Sequence, residues 1–109
     1  MVIENLLPQN IDWAKISEEK VEGETGFAIV KTKKSGDIQT RQVEYSRAYK
    51  ADHWCDKGHI VYVIQGELLI EYKEHEPHIL KSGMSYIVGD NSLSHKAVSK
   101  NGATVLIID

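Results

Sequence analysis

Beyond Gly26 the sequence breaks into short runs of strand-forming residues, cut about every ten residues by Gly, Asn, Asp or Ser. No amphipathic stretch in that region is long enough for the helix that must connect two parallel strands. A parallel α/β sheet is therefore excluded, and the pattern predicts eight or nine short antiparallel strands in a sandwich or barrel. The turn signals fall at Lys34-Ser35-Gly36-Asp37, Asp56-Lys57-Gly58, Gln65-Gly66-Glu67, Glu74-His75-Glu76-Pro77, Lys81-Ser82-Gly83, Gly89-Asp90-Asn91-Ser92 and Ser99-Lys100-Asn101-Gly102. Ile60 to Ile64 and Val105 to Ile108 are continuous apolar runs that read as well-buried strands. From Ile38 to Tyr45 the phases separate, with Ile38, Thr40 and Gln42 on one face and Gln39, Arg41, Val43 and Tyr45 on the other. The segments 38–72 and 78–108 both read as strand, glycine turn, strand, the mark of a doubled Greek key.

Residues 1–25 differ. Leu6-Leu7-Pro8-Gln9-Asn10 is a turn-rich opening, and Ile11 to Ile16 reads as a short helical turn or an extended arm on which Trp13 and Ile16 share a face. Glu18 to Glu24 is polar and reads as a surface connection. Such an arm is ordered only by docking on the barrel or on a partner subunit. The expected organisation is one domain over 1–109, an arm at 1–25 and a barrel at 26–109. With 109 residues, 41% of them hydrophobic and 27% charged, the chain can bury a core without crosslinks. A net charge of −3 argues against a nucleic-acid partner, and no stretch approaches a membrane span. No signal peptide is recognisable and the one cysteine cannot form an internal disulfide, so a cytoplasmic location is expected.

The chemistry concentrates in Asp52-His53-Trp54-Cys55-Asp56-Lys57-Gly58-His59, which holds two of the five histidines and the sole cysteine. His53 and Cys55 share a strand face by their spacing. After the turn at Asp56-Lys57-Gly58, an antiparallel partner strand brings His59 back beside them. His95, which opens the strand after the loop at 89–94, is the natural fourth member. Imidazole nitrogen and thiolate sulfur are ligands for Zn²⁺ and other first-row divalent ions. The plainer alternatives are a buried small hydrophobe for Cys55 and packing for Tyr62 and Trp54. His75 and His78 lie at a polar turn and read as exposed. Asp52 and Asp56 either orient an imidazole or are solvated turn residues.

These residues resemble the cupin superfamily. Its first motif reads His-x-His, three or four residues, Glu, six residues, Gly; here His53-x-Cys55, three residues, His59, six residues and Gly66 lie on that frame. Cys55 stands at the second His and His59 at the Glu, while Arg47 and Ala48 occupy the place of the early Gly. The second motif reads Gly, five residues, Pro-x-Gly, two residues, His; Gly83, Gly89-x-Asn91 and His95 follow it with one extra residue before His95. Asp52-His53-Trp54-Cys55, the Gly-Glu-Thr-Gly at 23–26 and Leu106-Ile107-Ile108-Asp109 are similar to a small bacterial cupin group named for its Asp, His, Cys and Trp residues. The resemblance implies an antiparallel jelly-roll β-barrel, a homodimer, and a metal held by His53, Cys55, His59 and His95. A thiolate in place of the carboxylate implies a softer ion, Zn²⁺, Ni²⁺, Fe²⁺ or Cu, over Mg²⁺ or Mn²⁺. The function it implies is a metal-binding cupin acting as a metal-dependent enzyme on a small molecule. The alternatives are a non-catalytic module that binds or senses a small ligand or metal, and a barrel with a degenerate site.

Overall fold

The computed structural model describes residues 2–109. It contains a 3₁₀ turn, Trp13–Lys15, and seven strands: β1 (Glu19–Glu22), β2 (Phe27–Ser35), β3 (Ile38–Lys50), β4 (His59–Glu71), β5 (His78–Lys81), β6 (Ser85–Val88) and β7 (Lys96–Ile108). All pairings are antiparallel, in the order β1-β2-β3-β7-β4-β5, with β6 also on β4. Among the described residues the sheet curls over on itself without closing its edges. It is an antiparallel jelly roll, as the resemblance implies. No helix among these residues is long and apolar enough to cross a membrane.

The strand count is lower than expected because two of the turn signals are bends. Gln65-Gly66-Glu67 lies inside β4 and Ser99-Lys100-Asn101-Gly102 inside β7, so each thirteen-residue strand serves both halves of the curled sheet. The β4–β7 register slips between Val63 and Gln65 and again between Gly66 and Leu69. A slip of this kind is a β-bulge, which bends the strand and sharpens its twist. Gly66 (φ +84°) and Gly102 (φ +98°) lie back to back there, and a Cβ on Gly66 would sit 2.4 Å from the Gly102 carbonyl oxygen. Gly102 N–H donates to the buried Ser99 Oγ (2.9 Å), which fixes the bend in β7.

The core follows from the pleat. Val43, Val105 and Val63 form one inward row across β3, β7 and β4, and Val63 and Val105 are fully buried. Each such side chain contributes about 1.5–3 kcal/mol by leaving water. The run from Ile60 to Ile64 is only half buried: Val61 and Val63 face inward, while Tyr62 and Ile64 are exposed on the outer face. The polar stretch at 18–24 contains β1, an edge strand on β2, so the sheet begins inside the segment read as an arm. Lys31 Nζ donates to the Trp13 carbonyl (2.9 Å) and Ser35 Oγ to Gln9 Oε1 (3.0 Å), docking the preceding residues on β2.

Gly66→Ala is expected to destabilise the fold by about 2–4 kcal/mol, since it adds a steric overlap to a left-handed φ. Gly36, at φ +60° with open space around its Cβ direction, is the control; Gly36→Ala should cost only about 1 kcal/mol. Urea midpoints of the two variants check the difference, and equal losses would remove the bend from the argument.

Candidate metal centre

His59, Asp109 and Gln39 lie in one row across β4, the end of β7 and β3. Their order follows from the pairing of Ile60 with Ile108 and of Thr40 with Ile108. Backbone hydrogen bonds between Gln39 and Asp109 (2.6 and 2.9 Å) extend that row. The pleat turns all three toward the inner face, with Arg41, Ile107 and Val61 in the row below. Arg41 Nη2 donates to Asp109 Oδ2 (2.9 Å) and Gln39 Nε2 to Asp109 Oδ1 (3.2 Å). The same Asp109 Oδ2 stands 3.5 Å from His59 Nδ1.

His95 arrives from the other end of β7. It pairs with Cys55 through Cys55 N–H to the His95 carbonyl (2.8 Å) and His95 N–H to the Cys55 carbonyl (3.0 Å). Directly opposed residues of an antiparallel pair point to the same face, so the thiol and the imidazole are side by side. The neighbour of Cys55 is thus His95, not the strand that begins at His59. His59 completes the group from across the curl, with its Nε2 2.8 Å from His95 Nε2. One ligand atom from each of Cys55, His59 and His95 lies within 4.8 Å of the others.

His53 stands apart from this group. Its side chain is 77% exposed, and its Nδ1 lies 2.6 Å from Asp52 Oδ1. It precedes the bridge at Cys55 and has no strand partner, yet it lines both the inner cavity and the outer cleft with Cys55 and His59. The imidazole beside it holds the Asp52 carboxyl below its ordinary range. Neither Asp52 nor Asp56 reaches His59 or His95 through a hydrogen bond; Asp56 accepts from Ser94 Oγ. Sequence reasoning did not find the carboxylate that faces His59, Asp109. Its signal is phase: Asp109 follows Ile107, and Arg41 precedes Val43 and Tyr45, at inward positions where a charge requires a partner.

The tautomers fit a shared cation. A carbonyl only accepts, so the contact from His95 Nδ1 to the Leu93 oxygen (2.9 Å) puts the proton on Nδ1 and a lone pair on Nε2. His59 Nδ1 is buried without a hydrogen bond, and the nearby carboxylate favours a proton there. The 2.8 Å contact between the two Nε2 atoms is of hydrogen-bond length, so one of them carries the proton that joins them, and a metal ion taking both as ligands would displace that proton. A carbonyl on one imidazole and a carboxylate behind the other is the usual support of metal-ligating histidines. Burial, followed by the charge of His95, pushes His59 below the ordinary imidazole value, which keeps it neutral near pH 7; Asp109 acts in the opposite direction.

The cluster opens on two spaces. An inner cavity of about 160 Å³ runs from Cys55, His59 and His95 past Tyr45 and Tyr49 to Leu68 and Ile70. An outer cleft of about 370 Å³ is bounded by Trp54, Lys57, Gln39 and Asp109. Trp54 lies at that mouth with Lys96 Nζ 4.7 Å and Lys73 Nζ 5.5 Å from its ring centre, a cation–π arrangement. Tyr62 lines neither space. His78 Nδ1 is bonded to Tyr72 Oη (2.8 Å), which meets Tyr86 Oη (2.6 Å) inside the wall.

No family model and no curated protein matches the sequence. Solved structures do match the fold. KdgF from Halomonas sp. aligns with a TM-score of 0.75 at 20% identity, over 94% of this chain and 92% of that one. A predicted oxalate decarboxylase from Thermotoga maritima aligns at 0.76 and 12% identity, over 92% and 96%. A cupin-like protein from the same organism aligns at 0.68 and 20% identity, over 78% and 69%. With its curled antiparallel sheet aligned to these structures, the chain has the cupin fold.

Proposed function

We propose that this chain is a metal-binding cupin that acts on a small molecule, with the ion held by Cys55, His59 and His95. The observation that carries this reading is the convergence of those donors within 4.8 Å at the end of a cavity. Two imidazoles and a thiolate suit Zn²⁺, Ni²⁺, Fe²⁺ or Cu better than Mg²⁺ or Mn²⁺. Three protein donors leave a coordination position open, the arrangement of catalytic rather than structural zinc sites. A divalent ion so held supplies Lewis acidity and lowers the pKa of water. The chain's own part is to orient His59 through Asp109, Arg41 and Gln39, to orient His95 through the Leu93 carbonyl, and to shield the cluster with Leu68 and Ile70. The fold is shared with a predicted oxalate decarboxylase, which agrees with metal chemistry without fixing a substrate.

A non-catalytic module that binds or senses a small ligand is the second reading, and one observation favours it. Among the described residues no carboxylate lines the inner cavity. The two tyrosines there are held protonated, Tyr45 by burial and then by Tyr49, and Tyr49 by burial and then by Asp52. Neither is suited to act as a general base near neutral pH. We also read the chain as a homodimer joined through its outer sheet, where Tyr62, Ile64 and Ile87 (75% exposed) are uncovered. Light scattering on the purified chain should give twice the monomer mass, and Ile87→Lys should return it to the monomer.

Elemental analysis of protein purified without a histidine tag should find about one transition-metal ion per chain. Cys55→Ser, His59→Ala and His95→Ala should each weaken Zn²⁺ by more than about tenfold, and Asp109→Asn by about 10- to 100-fold. His53→Ala should leave the affinity unchanged. Metal-free protein, or loss of the ion in His53→Ala alone, would overturn the assignment.

The lowered pKa of His59 also gives a pH dependence. The unfolded chain takes a proton on this imidazole near about pH 6.5, whereas the folded chain resists it to lower pH. In metal-free protein the stability carried by neutral His59 is complete above about pH 6.5. It is lost as the pH falls from there toward the lower folded value. Between pH values of about 7.5 and 5.5 the wild type should therefore lose more stability than His59→Gln, as read from urea midpoints. Parallel losses would remove His59 as the cause.

A further inference from the structure

The inner cavity has an uneven charge. Arg41 and Lys96 line it, and among the described residues no Asp or Glu does. Asp109 accepts from Arg41 Nη2, but Arg41 Nε is buried with no partner. A buried N–H without an acceptor is costly, and a guanidinium presents its N–H groups in a planar fork that matches a carboxylate. The rest of the wall is mostly apolar, with Leu68 and Ile70 on one side and the Tyr45–Tyr49 pair, ring centres 4.8 Å apart, on another. At about 160 Å³ the cavity is far smaller than the roughly 300 Å³ at which sites for drug-sized ligands begin. It is close to the roughly 150 Å³ that accommodates a benzene-sized molecule.

We propose that this cavity binds a short-chain aliphatic carboxylate. Its head group is received by the positive charge of Arg41 and Lys96 in the cavity wall, and its hydrocarbon end lies against Leu68, Ile70 and the tyrosine pair. The proposal deepens the reading of this cavity as the working site and rests on it, but the charge argument does not require the ion. Arg41 thereby has two roles: it holds Asp109 behind His59 through Nη2 and presents its charge to the cavity. Lys96 joins the cavity to the outer mouth, because its ammonium also lies over Trp54.

The test is calorimetric titration with butyrate and with its neutral isostere butyramide at matched ionic strength. Both the Zn²⁺-loaded chain and the chelator-stripped chain are titrated. Butyrate should bind both forms, with butyramide at least about tenfold weaker. Arg41→Gln should weaken butyrate at least about tenfold and leave butyramide unchanged. Arg41→Lys, which keeps the charge and loses the fork, should fall between. Lys96→Gln tests the site with the Arg41–Asp109 pair intact and should also weaken butyrate. Equal affinity for butyrate and butyramide, unchanged butyrate binding in Arg41→Gln and Lys96→Gln, or no butyrate binding by either form at about 10 mM would each overturn the proposal. A chain that takes up no metal but binds butyrate through Arg41 overturns the metal centre and supports the carboxylate site.

Discussion

The structure depends on the bend that β4 and β7 share. Extended at about 3.3 Å per residue, the chain from His95 to Asp109 would run for roughly 45 Å. The whole molecule measures only 40 Å along its longest axis. Yet both ends of that segment reach the same imidazole: His95 Nε2 stands 2.8 Å from His59 Nε2, and Asp109 Oδ2 stands 3.5 Å from His59 Nδ1. Only a strand that turns back can do this, and Gly66 makes room for it by letting its backbone meet that of Gly102 where a Cβ does not fit. The fold and the site therefore rest on one geometric condition.

That condition also sets the electrostatics. Bringing His59 into the curl removes it from water and favours the neutral imidazole, the form that can ligate. Bringing Asp109 in with it would leave a buried anion, and Arg41 and Gln39 from the neighbouring strand compensate that charge. The Arg41–Asp109 pair is half-shielded, with 27% and 14% of the two side chains exposed, so it orients more than it stabilises. One end of the site thus has a fixed polar frame. The other end, toward Leu68 and Ile70, has none.

The sequence made the all-β class legible because turn residues recur at strand spacing, and it made the cluster legible because ligand types concentrate at 52–59. It did not reveal which turn signals are bends. Glycine with a positive φ serves a hairpin at Gly36 and a bulge at Gly66, and the local sequence is alike in both cases. For the same reason His59 was expected beside Cys55 through a hairpin, whereas Cys55 pairs with His95, forty positions away. The two-residue interval of His53 and Cys55 shares a face only if both residues lie in a strand, so it is not the pleat that brings His53 to the rim of both spaces. Cys55 forms a bridge and His53 does not. Asp109 and Arg41 were visible only as polar residues in phase with core positions, a signal that acquires meaning once the register is known.

The proposed exchange of ligands within the cupin frame has a structural reason. The frame's Glu position holds His59, and its second His position holds Cys55. A carboxylate at 59 would bring a negative charge directly against Asp109, whose Oδ2 stands 3.5 Å from the His59 ring. Two carboxylates placed directly against one another in a shielded place repel, and one of them takes a proton. An imidazole there turns the same neighbour into a support, because its Nδ1 faces the carboxylate as its Nε2 faces the other donors. On the proposed reading Cys55 takes the carboxylate's place as donor from the far side of the cluster, where the backbone bridge to His95 holds it. On that reading a soft donor set and a cation-lined, carboxylate-free cavity have one origin, since Asp109 supplies the buried negative charge from behind His59 and leaves the cavity side to Arg41 and Lys96.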